Sequence, residues 1–465
     1  MKYIGPFLRI NSLTLENLES QLFFFSKEAF NQLVLKSRCG VTLHPKNVKK
    51  LIPNIDINII KDFSPLICIY KKANPKIIRE KDYAYFDSGS FKKEVVPNSN
   101  SFMTLAMLEL VEYYEFFKDI APELYTLSTL YRGMARQQLD FYTTYLRNGE
   151  GVFVTKKNVS DDTSDKLVFE DKDSKFKFSD QALMMVAFYK YSMMDDSKDS
   201  DAYREFSLDI LRMLMHYKDS LYELSFEELN KTVYALNILY YYGRNNEVGA
   251  LILDILELLT GRFDENPELR TKLNHSSLFL LNLSLSSNVC SLDKLQEKTN
   301  EIRGYLSSLY SKELCMIIAN KDKKEVKFYS EDLLLFLLSM LSLNEDQLDG
   351  EEIEMLKNVY RHQVVNSGLI SHWPELPTLD SPERYQGFSL SSKDLMEDNC
   401  FKLDTLNSPK GDIYAPIFLK SVEYNIKKEA FSQGKVSFDS NKNMPLLFSI
   451  IFLLKNKIYK LYNLK

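Results

Sequence analysis

Past residue 100 the chain alternates between two kinds of helical segment. In one kind the residues are apolar on every face, as in Phe102 to Phe117, Ala182 to Met194, Leu273 to Leu285 and Leu333 to Leu343. In the other only one stripe is apolar. Pro122 to Arg147 carries Leu124, Leu127, Tyr131, Met134, Phe141 and Tyr145 at steps of three, four and seven, and Leu292 to Leu314 carries Leu292, Leu295, Ile302, Tyr305 and Leu309. Tyr203 to Leu221 and Ile353 to Val364 belong to the same kind. A helix apolar all round must be buried on all sides, whereas a one-stripe helix covers it and meets water with its other face. The repeated order predicts a mainly α protein built as a double layer of helical hairpins. Four stretches resist sorting. Glu227 to Tyr242 and Glu247 to Phe263 are both rich in apolar residues; Gln386 to Asn407 has no place in a strict count; and Met444 to Leu454 reads as inner where alternation from Ile413 makes it outer.

The first hundred residues read differently. Thr14 to Ser37 is expected to be a helix, with Thr14 as N-cap and Leu15, Leu18, Leu22, Phe25, Ala29 and Leu33 along one face. Pro65 to Tyr70 has β-type composition, and Tyr83 to Phe86 reads as a second strand. The expected division is a small mixed α/β cap over residues 1–100, ending in Pro97-Asn98-Ser99-Asn100, followed by helical hairpins over 101–465.

Three connections look alike: Asn148-Gly149-Glu150-Gly151-Val152-Phe153-Val154, Asn366-Ser367-Gly368-Leu369-Ile370, and Ser432-Gln433-Gly434-Lys435-Val436. Each is read as following a helix, with glycine as a left-handed cap before an extended run. This is a weak internal repeat, consistent with hairpins stacked in a ring or solenoid. Helix, then Asn-Gly-x-Gly-apolar, then a loop, then Phe178-Ser179-Asp180-Gln181-Ala182 opening an inner helix, resembles one hairpin of the six-hairpin, or (α/α)6 toroid, superfamily. That group includes glycoside hydrolases, polysaccharide lyases and sugar epimerases. The resemblance implies a toroid over roughly residues 100 to 460 whose site lies in the funnel where inner helices begin, with its acids there and on the long loops.

Positions at that location are Asp180, Glu331 and Asp332 at the starts of inner helices, Glu375, Asp380 and Glu383 in the longest loop, and Asp412 before Ile413. Glycoside hydrolysis needs two carboxylates across the scissile bond, so Asp180, Glu375, Asp380, Glu383 and Asp412 are candidate catalytic groups. His372, Trp373, Tyr385, Glu331 and Asp332 are candidate ligand contacts, since His372-Trp373-Pro374-Glu375 places the only tryptophan beside an acid. The plainer reading is that acids at helix starts cap free N–H groups and complement the helix dipole, and that Trp373 anchors its loop. The loop from Gly368 to Asp412 is expected to fold over the funnel mouth.

Asp161-Asp162-Thr163-Ser164-Asp165 and Asp195-Asp196-Ser197-Lys198-Asp199 match D-D-x-x-D, a metal-diphosphate pattern, but sit in Ser/Asp/Lys-rich connections and read as solvated loops. The five histidines, His44, His216, His275, His362 and His372, show no zinc spacing. No metal or cofactor is expected. A net charge of −5, from 59 basic and 64 acidic residues, leaves no surplus for phosphate contacts and argues against nucleic acid as a partner. Five scattered cysteines without a C-x-x-C pair, an N-terminus without an apolar run, and apolar stretches well short of roughly 20 residues imply a cytoplasmic chain with no membrane span. Two functions stand: a toroid that acts on or binds a saccharide through acids near its rim, and a non-catalytic helical scaffold that holds a partner protein. No motif decides whether the chain is an enzyme.

Overall fold

The computed structural model describes residues 13–51, 61–80, 83–161, 166–173, 175–194, 199–289, 292–318, 324–343, 347–375, 377, 381–383 and 413–461. Among them run twelve longer helices: α1 Leu15–Leu35, α2 Pro97–Glu115, α3 Pro122–Tyr145, α4 Phe178–Met194, α5 Ser200–His216, α6 Phe226–Gly243, α7 Asn246–Glu265, α8 Leu273–Ser286, α9 Asp293–Ser308, α10 Ser330–Leu341, α11 Gly350–Val359 and α12 Ser440–Leu461. The even-numbered helices form a closed inner ring in which α2 packs on α4, α4 on α6, α6 on α8, α8 on α10, α10 on α12, and α12 back on α2. The odd-numbered helices surround it: α3 lies on α2, α5 on α4, α7 on α6 and α9 on α8, while the π-helical turn Tyr360–Asn366 that continues α11 touches α10.

Burial follows the two kinds of pattern. Every residue of α10 from Leu333 to Leu341 is buried, whereas α5 buries only Ser207, Ile210, Leu211 and Leu214, and α9 only Lys298, Ile302 and Leu306. Met185, Phe188, Leu281, Leu334 and Leu337 are buried in one connected core. Leu278 is partly exposed because it borders a cavity. The two unsorted segments become inner α6 and outer α7, the latter burying one face through Val248, Leu251, Ile255, Leu259 and Phe263.

The last inner helix finds its cover at the other end of the chain. Helix α1 packs along α12, so the first and last described helices form the sixth pair and close the ring. Thr14 caps α1, accepting from the Asn17 N–H at 3.1 Å. Met444 to Leu454 is inner, as its composition requires, and the alternation is kept because residues 413–439 contain no helix. The reading of Ser432-Gln433-Gly434 as a helix terminus is therefore corrected: Gly434 follows a strand, and only Gly151 and Gly368 are left-handed, at φ 86° and 73°. Gln386 to Asn407 lies outside the described residues.

Strands gather at the end where inner helices begin. They are β1 Gly40–Thr42, β2 Leu66–Ala73, β3 Lys92–Val95, β4 Lys156–Asn158, β5 Phe169–Asp171, β6 Glu325–Tyr329, β7 Ser421–Asn425, β8 Ala430–Gln433 and β9 Phe438–Asp439. One antiparallel sheet has the order β1-β2-β3-β4-β5, with β9 also on β2; another has the order β6-β7-β8. Tyr83–Phe86 pairs with Ile77–Glu80 in a separate hairpin. Strands β3, β6 and β9 lead almost directly into α2, α10 and α12, which fixes where those helices start around the ring.

The opposite end of the ring is closed by charge. In the last two turns of the inner helices, Glu109 and Glu112 of α2 meet Lys190 of α4, Tyr242 of α6 and Lys455 of α12. Lys455 bonds Glu109 at 2.6 Å, the Tyr242 hydroxyl donates to Glu109 at 2.5 Å, and Lys190 and Lys455 both pair with Glu112. Burial opposes ionisation of Glu109, but Lys455 and Lys190 outweigh it and hold its carboxyl below the usual range.

Candidate functional site

At the open end the inner helices enclose a cavity of about 290 Å³ on the ring axis. All six contribute to its wall, among them Asn98 and Phe102 of α2, Asp180 of α4, Glu228 and Lys231 of α6, and Leu278 of α8. Glu331 of α10 and Asn441, Lys442 and Ser449 of α12 complete it. Helices α2, α8 and α10 start here without a side-chain cap, whereas α6 is capped by Ser225. Free N–H groups and the positive ends of several helix dipoles thus converge here, which favours acids in the first turns.

Asp180 is 6% exposed, borders the cavity, and among the described residues accepts no hydrogen bond and has no cation within 4 Å. Burial pushes its carboxyl up to about 7, with Glu228 adding to the rise and Lys177 and Lys231 opposing it. Capping is not its task. The N–H of Ser179 is taken by Glu228 Oε1 at 3.0 Å, across from α6. Lys231 is held by Glu227 at 2.5 Å, a pairing that outweighs burial and keeps the ammonium charged. Glu227 is also 3.6 Å from the Nε2 of His275. Asn441 supplies a second idle acceptor, since its buried Oδ1 has no partner among the described residues. Pro445, inside α12, has no N–H for the Asn441 carbonyl, so that helix turn is open toward the cavity. Lys177, exposed at the edge, is a donor without an ion pair among the described residues. The floor is tied by the Tyr234 and Ser449 hydroxyls at 2.7 Å.

Beside the cavity lies a groove of about 800 Å³, bounded by β6, Lys272 to Asn274, Lys420 and the first turn of α10. Asp332 borders it; burial and neighbouring Glu331 raise its carboxyl to about 6 against Lys442, the Asn274 N–H and His275. Glu331 pairs with Lys442, and both residues border the cavity and the groove.

The structure thus brings Asp180, Glu331 and Asp332 to one end of the ring and places the described loop residues Trp373 and Glu383 elsewhere. Trp373 is 2% exposed and meets the Phe25 ring of α1 edge-on at 5.4 Å, so it anchors its loop and does not border the cavity. His372 beside it is half-buried, and Glu375 is exposed. Glu383 is buried in the body, bonded to Lys27 of α1 and accepting from the Tyr113 hydroxyl at 2.7 Å in the last turn of α2, away from the funnel. Asp380, Tyr385 and Asp412 lie outside the described residues, as do Asp162, Asp165, Asp195 and Asp196 of the acidic strings; Asp199 bonds Arg136 at 2.5 Å. Sequence reasoning missed Glu228, Lys231, Asn441 and Lys442. The rule that found Asp180, an acid at the start of an inner helix, finds Glu228 once α6 is known to be inner. Among the described residues no group of three or more His, Cys, Asp or Glu is arranged to hold a metal, and no helix is long and apolar enough to cross a membrane.

No family model matches the chain, and no curated protein sequence matches it. Solved structures do match. A crystal structure of D-mannose isomerase aligns with 95% of this chain and 99% of its own, with a TM-score of 0.53 at 8% identity. An inactive variant of an α-1,6-mannanase of Salegentibacter, in complex with α-1,6-mannotriose, aligns over 95% and 99% with a TM-score of 0.42 at 8% identity. A thermostable endoglucanase from Alicyclobacillus acidocaldarius aligns over 95% and 84% with a TM-score of 0.43 at 13% identity. At such identities the first likeness speaks for the fold alone: the chain is an (α/α)6 toroid.

Proposed function

We propose that the axial cavity receives a saccharide and that Asp180 exchanges a proton with it. The observation that carries this reading is the set of idle polar groups around one enclosed space. Among the described residues the buried Asn441 Oδ1 has no partner, Asp180 accepts no hydrogen bond and exposed Lys177 has no ion pair, and the walls between them are apolar at Phe102, Leu183 and Leu335. A polyol answers that pattern, because each hydroxyl both donates and accepts while the C–H faces of the ring suit apolar walls. Leaving a buried acceptor such as Asn441 Oδ1 without a partner costs about 1–3 kcal/mol, which binding recovers. The closed ring with acids at its mouth favours a ligand site over a scaffold's open concave surface. The fold likeness to an enzyme named for a hexose adds weight to a sugar as ligand.

A carboxyl near 7 holds its proton about half the time at neutral pH, so it can donate to a sugar oxygen or take a proton beside a carbonyl carbon. Lys231 lies close enough to bias that equilibrium toward the anion. The test is calorimetric titration with glucose, mannose, galactose and their linear trisaccharides, alongside proton NMR of each mixture for altered sugar signals. Asp180→Asn should weaken any binding at least tenfold and abolish any turnover, and wild-type turnover should titrate near pH 7. If none of these sugars binds, or Asp180→Asn binds as wild type does, the reading fails and the partner-protein scaffold takes its place.

A further inference from the structure

We propose that the cavity and the neighbouring groove are two compartments of one site, and that its ligand is an oligosaccharide whose second ring lies on Tyr329. This rests on the saccharide reading above and adds the length of the ligand. Three observations carry it. The cavity, about 290 Å³, is at the small end of the roughly 300–1,000 Å³ usual for ligand sites and suits one sugar ring, whereas the groove, about 800 Å³, has space for more. The two spaces share Glu331 and Lys442, which pair across the mouth from the first turns of α10 and α12. These are also the least closely packed neighbours in the inner ring, so the partition between the compartments is a side-chain pair and not backbone. Lastly, the groove carries an aromatic ring, Tyr329, that is 40% exposed although it directly precedes the buried helix α10.

The partition can open at small cost. The side chains of Lys442 and Glu331 are 39% and 25% exposed, and an ion pair so placed contributes little. A chain of sugars passing between them replaces like with like: the carboxylate accepts from two ring hydroxyls and the ammonium donates to a third. Beyond the pair, the Tyr329 ring offers apolar surface on which a second pyranose can lie; Lys327 Nζ, paired with Glu423, stands over one face at 5.8 Å from the ring centre, which leaves the other for the sugar.

The experiment compares glucose and mannose with maltotriose, cellotriose and mannotriose by calorimetry on the full chain, for wild type, Tyr329→Ala and Lys442→Met. For the sugar that binds, the trisaccharide should exceed its hexose by tenfold or more in wild type. Tyr329→Ala should reduce that advantage to less than threefold. Lys442→Met should also reduce it, and thermal melting curves should show both variants folded. A hexose binding as tightly as its trisaccharide, or a full trisaccharide advantage in Tyr329→Ala, overturns the two-compartment site while leaving the single-sugar reading intact. If neither hexose nor trisaccharide binds, both readings fall.

Discussion

The two ends of the inner ring are made of the same helices and of similar residues, yet they handle charge in opposite ways. At the closed end two acids, two lysines and a tyrosine hydroxyl are mutually bonded, and Glu109 is held ionised by Lys455 and Lys190. At the open end Asp180 is buried among carboxylate and lysine neighbours that do not touch it, and its proton is retained to about pH 7. Burial alone therefore does not decide the state of a carboxyl; whether a cation reaches it does. The closed end is arranged for a fixed structure, and the open end keeps unused bonding capacity, which is what a ligand needs.

The largest effect that would break this contrast is expected at the closed end. Lys455→Met leaves Lys190 as the one cation on Glu109 and Glu112 among the described residues and should lower unfolding free energy in guanidinium by about 3–5 kcal/mol. Because the folded-state carboxyl of Glu109 lies below its unfolded value, its stabilising share is present above about pH 4.5 and lost as pH falls through the folded value. The deficit of the variant should accordingly shrink in acid. A deficit below 1 kcal/mol at pH 8 would mean that the network is not what closes the ring.

At the open end the sign reverses. Asp180 is raised from 3.8 to about 7, so the folded chain holds an extra proton between those values and stability falls as pH rises through the interval. Asp180→Asn should stabilise the protein by about 4 kcal/mol at pH 8 and by nothing measurable near pH 4. Unfolding curves at the two pH values check this, and destabilisation at pH 8 would show that the carboxylate has a partner. A variant that gains stability while losing the ligand would be the signature of a site held against its own folding preference.

Smaller effects sharpen the comparison. Tyr234→Phe removes the hydrogen bond to Ser449 on the cavity floor and should cost about 1 kcal/mol. Lys294→Ala, on the outer layer, breaks a pair with Glu257 in which both side chains are largely exposed, and should change unfolding free energy by less than about 0.5 kcal/mol. A larger loss there would mean that surface pairs contribute to the ring as the axial ones do.

The layer of most helices was legible because it follows from which faces are apolar. Phe102 to Phe117 and Leu333 to Leu343 have no polar side to offer water, so only an inner position suits them. Asp180, Glu331 and Asp332 were singled out because the resemblance to (α/α)6 toroids implies a site where inner helices begin, and the structure places all three at that end of the ring. Of the loop candidates that the structure describes, Trp373 and Glu383 do not join them, because composition does not reveal direction. Trp373 and Glu383 look the same in sequence whether they face a funnel or the body, and what places them is the side of α1, with Phe25 and Lys27 available to receive an aromatic ring and a carboxylate.

By itself, then, the pattern of apolar positions determined a double helical layer, since that depends on periodicity, which is local; the end at which the candidate acids lie was implied only by the resemblance to toroids. Tertiary structure alone decided the pairing of α1 with α12, the closure of the ring, and the difference between a paired Glu109 and an idle Asp180. Each of these depends on which residue from a distant helix comes within bonding distance, and no local period in the chain encodes that distance.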